Sequence, residues 1–148
     1  MNPYITPPST GVRPQMNELY EIKHVTVSIR RSSADVYAFV ANGANLPRWA
    51  SGLGHTAENR SGEWLLDGPL GKIRVRFAPS NDFGVLDHDV VLPSGQSVHN
   101  PLRVVPNGAG SELTFALFRL PDVSPEKFAE DAQWVARDLE RLKGLLEA

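Results

Sequence analysis

The chain has 148 residues, 41% of them hydrophobic and 22% charged, with a formal net charge of −2 and no cysteine. That length and composition suit one globular domain with a substantial core. They exclude disulfides, thiol nucleophiles and thiolate metal sites, and they give no electrostatic case for nucleic acid or an anionic membrane as partner.

No apolar run approaches the roughly 20 residues needed to span a bilayer, and the N-terminal stretch has no signal-peptide apolar core. The default expectation is a cytoplasmic protein. Residues 1–17 contain Pro3, Pro7, Pro8 and Pro14 and show no periodicity, which predicts a flexible Pro-rich arm preceding a domain over 18–148. A Pro-rich ligand for a partner is the functional alternative for this arm, although no PxxP repeat is present.

From Tyr20 to Arg30 the text alternates, with Val25, Val27 and Ile29 on the buried side of a strand and His24 on the solvent side. Ser32 then suits a helix N-cap with Asp35 at N3. Val36, Phe39 and Val40 give one apolar side to a short helix that stops near Asn42-Gly43. Asn45 to Trp49 predicts a second single turn, closed by a large aromatic.

After Gly52 the period becomes two, interrupted by turn residues, which predicts an antiparallel meander with strands near 53–59, 62–67, 71–78, 83–92, 97–105 and 111–120. Pairing Arg76 with Asp87 and Arg74 with Asp89 places opposite charges across one ladder. That register sets Val75 beside His88 and turns His88 onto the apolar face. In the following strand Val98, Asn100, Leu102 and Val104 point inward if Arg103 joins the charged outer face near Asp87; His99 then points out. Pro101 suggests a bulge or an edge position. The last strand, Glu112 to Leu120, is apolar on both sides, so its inner face stays open.

Ser124 to Ala148 is the longest helical signal. Phe128, Ala132, Val135, Leu139, Leu142 and Leu146 form one stripe, with Ser124 as N-cap and Pro125 at N1. At 1.5 Å per residue this helix is roughly 35 Å long and needs a broad apolar surface to lie on.

This order of strand, two short helices, antiparallel strands and one long C-terminal helix, with Trp49 closing the second short helix, resembles the α+β helix-grip fold of the START and polyketide-cyclase-like (SRPBCC) superfamily. The resemblance covers about residues 20–148 and is strongest in SSADVYAFVANGANLPRW, GVLDHDVV, LRVVPNGAGSELTF and the terminal helix. It implies about seven antiparallel strands curled around the long helix, an apolar cavity between them, and the short helices closing one end. Members bind lipids, sterols, hormones or aromatic polyketides, and some catalyse cyclisation or dehydration. No catalytic motif of the superfamily can be carried over to named residues here. The glycine-rich loop of the plant-hormone-binding branch is also missing, since the corresponding AENRSGEW has a single glycine.

Among ionisable residues His88 is the first candidate, either as a general acid/base or ligand donor or as a buried neutral histidine bonded to backbone or to Asn100. A dyad with Asp87 fails because adjacent strand residues face opposite ways. Asn100 would orient a ligand or bond His88. Trp49, Trp64, Phe115 and Trp134 are candidate cavity aromatics, each with a plain core role as the alternative. Asp131 reads as a solvated helix edge or, alternatively, as a carboxylate of the site. His24, His55, His88 and His99 lie singly, with no metal-ligand spacing. The expected function is therefore binding of a small hydrophobic or aromatic molecule, as carrier or sensor, by a monomer or weak homodimer with no cofactor and no metal. A cyclase/dehydratase-type enzyme using His88 with Asn100 or Asp131 is the second reading, and an interaction module with a filled cavity is the third.

Overall fold

The computed structural model describes residues 19–50, 52–69 and 71–148, so the expected arm over 1–17 lies outside the described residues. Strand β1 (Ile22–Ile29) is followed by helix α1 (Ser33–Ala41), a 3₁₀ turn (Gly43–Asn45) and the single-turn helix α2 (Leu46–Trp49). Seven more strands succeed them: β2 (Thr56–Arg60), β3 (Glu63–Gly68), β4 (Gly71–Phe77), β5 (His88–Val91), β6 (Ser97–Asn100), β7 (Leu102–Asn107) and β8 (Gly110–Phe118). Helix α3 (Pro125–Glu147) closes the chain. Both capping expectations hold: Ser32 Oγ accepts from Asp35 N at 3.1 Å, and Ser124 Oγ accepts from Lys127 N at 3.0 Å.

The strands pair antiparallel in the orders β2-β3-β4-β5-β6 and β1-β8-β7. The stretch expected as one strand over 97–105 is cut at Pro101, which has no N–H for a ladder. Its first half pairs with β5 and its second half with β8. Pro101 is thus the joint at which the chain passes from one set of strands to the other, and it raises the expected count of about seven strands to eight. Hydrogen bonds from Leu86 N to Leu102 O (2.8 Å), Val104 N to Gly84 O (3.0 Å) and Ala116 N to Pro101 O (3.1 Å) stitch the two sets together across this joint.

Two further expectations need correcting. The strand expected over 83–92 begins only at His88, because Asn81 organises the preceding loop. Its Oδ1 accepts from Phe83 N and Val85 N, and its Nδ2 donates to Pro79 O and Val85 O. Such local side-chain bonds compete with a ladder. The register of β4 on β5 is also displaced by two residues: Arg76 faces Asp89, Phe77 faces His88 and Val75 faces Val90. Asp87 is not available to Arg76, since its carboxylate accepts from Leu102 N (2.9 Å) and from Arg103 Nη2 (2.9 Å). A displacement of two leaves every side chain on its expected face.

The core lies between the sheets and α3. Phe128, Val135, Leu139, Leu142 and Leu146 of α3 are all buried, and β8 settles its inner face as Leu113, Phe115 and Leu117. At about 1.5–3 kcal/mol for each large apolar side chain, the α3 stripe contributes about 8–15 kcal/mol as an upper bound. Val36, Val40, Leu46 and Trp49 close one end. Gly43 lies directly against the Trp64 indole, and any side chain there would overlap the ring.

Candidate functional site

A pocket of about 340 Å³ opens where the end of β8 and the edge strand β6 meet the first turns of α3. Leu117 and Phe118 come from β8, Val98 and Asn100 from β6, Leu120 and Val123 from the connector into α3, and Asp131 from α3 itself. Tyr20, Ser97 and His99 complete the rim. Tyr20 meets Phe118 edge to face at 6.3 Å, which braces this wall. The connector is held by Arg119, whose Nε donates to Val123 O at 2.7 Å while its N donates to Glu21 O at 2.8 Å.

Two of the residues singled out in the sequence, Asn100 and Asp131, line this same pocket, and both are buried, at 3% and 4% exposure. Asn100 points inward as the alternation of β6 requires. Asp131 corrects the solvated-edge expectation: it lies three residues after Phe128, within the buried arc of α3. Lys127 Nζ donates to Asp131 Oδ2 at 3.0 Å, one turn back. Burial raises the Asp131 pKa above the usual carboxylate value, and the Lys127 ammonium works against that rise.

His88 lies deeper, outside the pocket wall. It is 1% exposed, its Nδ1 lies 3.0 Å from Leu86 O, and its ring packs against Phe77 (5.2 Å between centroids) and Phe115 (6.4 Å). A carbonyl can only accept, so Nδ1 carries a proton and the neutral form of the ring is the Nδ1–H tautomer. Burial lowers its pKa, opposed by the Leu86 carbonyl.

The large aromatics are elsewhere. Trp49 and Phe115 are fully buried in the core, Trp64 covers Gly43, and half-buried Trp134 carries Arg137 at 5.5 Å from its ring. Sequence reasoning missed the apolar wall itself. A usable signal was present: Leu120 and Val123 are apolar residues flanking the turn Pro121-Asp122, in a connector where polar side chains are the rule.

On the outer face, charges form a separate system. Asp89 joins His99 Nδ1 (2.6 Å) and Arg76 (3.9 Å), and Arg74 and Arg76 share Glu63. These pairs are solvent-facing and screened. Among the described residues no cluster of three or more His, Asp or Glu is placed to hold a metal ion, and no helix is long and apolar enough to cross a membrane.

No family model matches the chain, and no curated protein matches its sequence. Solved structures do match its fold. The Aha1 dimer from Colwellia psychrerythraea superposes with a TM-score of 0.67 at 10% identity, over 86% of this chain and 96% of that one. Ara h 8.0201 gives 0.60 at 14% identity, over 86% and 98%. DynU16, a putative protein in the dynemicin biosynthetic locus, gives 0.64 at 17% identity, over 86% of this chain and 47% of that one. The chain shares the fold of these structures, an α+β helix-grip arrangement of antiparallel strands and a long C-terminal helix.

Proposed function

We propose that this helix-grip chain binds a small hydrophobic or aromatic molecule in the pocket between β6, β8 and the start of α3, and acts as a carrier or sensor. The observation that carries the reading is the pocket itself. It has about 340 Å³ of space, an apolar wall from Val98, Leu117, Phe118, Leu120 and Val123, and buried polar side chains set into that wall. Small-molecule sites have this composition, and their volumes start at about 300 Å³. Trp49 and Phe115 are fully buried in the core and line no part of this pocket, so they are left out of the proposed ligand contacts.

The cyclase/dehydratase reading is weaker. His88, its general acid/base, is turned toward a backbone carbonyl and two phenyl rings and takes no part in the pocket wall. Proton transfer needs the base within reach of the substrate. As for assembly, we expect a monomer or weak homodimer.

Native mass spectrometry of the freshly purified chain tests the proposal. A small-molecule adduct that dissociates on denaturation is expected. The bare chain mass, with no mass gained on incubation with small aromatic compounds, would count against it.

A further inference from the structure

We infer that the molecule bound in this pocket presents a neutral hydroxyl, a phenol or an alcohol on an apolar body, which donates to the Asp131 carboxylate and accepts from the Asn100 amide. The inference rests on the pocket reading above and names its ligand class.

Asn100 and Asp131 come from elements on two sides of one wall. Among the described residues, Asn100 Nδ2 and Asp131 Oδ1 have no hydrogen-bond partner, while Asp131 Oδ2 is taken by Lys127. Buried polar atoms without partners are rare and costly, and an apolar side chain at either position would avoid the cost. One of these atoms is a donor and the other an acceptor. The terminal torsions of Asn and Asp are broad, so a small rotation presents either atom to the pocket.

The chemistry then selects the head group. A carboxylate ligand has no proton to give Asp131 and meets its negative charge. An ammonium has no lone pair to accept from Asn100, and Lys127 already balances the Asp131 charge. A hydroxyl donates once and accepts with its lone pairs, which matches both.

Calorimetric titration of the full chain with naphthol, naphthalene and naphthoate tests this. Naphthol should bind about tenfold or more tighter than naphthalene, and naphthoate should bind weakest. In Asn100→Leu the naphthol preference should fall to near unity while the melting temperature holds or rises, because a buried unpaired amide has been replaced by an apolar group of similar volume. In Asp131→Asn, which keeps the shape and removes the charge, naphthoate binding should improve about tenfold.

Equal binding of naphthol and naphthalene would overturn the inference and leave the pocket reading standing. Binding of none of the three would remove the pocket reading and the inference together. An Asn100→Leu chain that melts much lower yet keeps its naphthol preference would make Asn100 structural and also overturn it.

Discussion

His88 and Asn100 are direct cross-strand partners on β5 and β6, and both side chains are turned into the interior. Two polar groups side by side on an otherwise apolar face make the polar spine of the fold. Asn100 reaches the pocket, and His88 stands behind it between Phe77 and Phe115.

His88 should therefore titrate below the usual histidine value of about 6.5, with burial as the cause. In an NMR titration its midpoint should fall below about 6.5. The depressed folded value means that the unfolded chain takes up the proton first. Stability is thus undiminished above about pH 6.5 and falls as pH drops through that value toward the lower folded one. A His88 that titrates at or above about 6.5 would contradict its burial.

Most of this spine was legible in the sequence, and the reasons for the exceptions are physical. Period-two alternation carries face information, so the inward turn of His88 and Asn100 survived even though the β4–β5 register was displaced by two. Charge complementarity carries register information poorly, because Arg76, Arg103 and His99 all compete for Asp87 and Asp89. The α3 stripe was legible from its spacing. Its two buried carboxylates, Asp131 and Asp138, were not, since an acidic residue on a helix reads as solvated by default; each lies three residues after a stripe residue, Phe128 and Val135, which was the available sign. The pocket wall was harder to read because its connector residues have no periodicity; apolar Leu120 and Val123 beside the turn Pro121-Asp122 were the available sign.

Leu139 is 1% exposed at the middle of the α3 stripe, and its neighbour Glu140 is exposed. Leu139→Ala should cost about 2–5 kcal/mol through lost burial and a cavity. Glu140→Ala should cost under about 0.5 kcal/mol. Urea titrations with equal midpoints for the two variants would mean that the buried face is misassigned.

Two glycines should respond with opposite signs. A methyl group at Gly43 runs into the Trp64 ring, so Gly43→Ala should destabilise by about 1–3 kcal/mol and disturb tryptophan fluorescence. Gly144 is an exposed helical position with open space at its Cβ, so Gly144→Ala should stabilise by about 0.5–1 kcal/mol. Thermal melts of both variants check the pair.

Asp87 holds the start of β7 through Leu102 N and Arg103. Burial pushes its pKa up, but the Arg103 hydrogen bond and charge and the Leu102 N–H together bring it below the usual 3.8. Its contribution is accordingly present above about pH 3.8 and lost as pH falls through the lower folded value. Asp87→Ala should cost about 1.5–3 kcal/mol near neutrality. The gap between wild type and variant should shrink in strong acid, and a gap independent of pH would rule out the charge as its source.

The most direct test of the binding site is an amide NMR titration of the uniformly labelled chain with naphthol. Progressive shifts should concentrate at Val98, Asn100, Leu117, Val123 and Asp131, the residues that converge on the pocket. Shifts centred instead on the groove beside Tyr37, Asn81 and exposed Phe83, or no saturable shifts at all, would contradict the account.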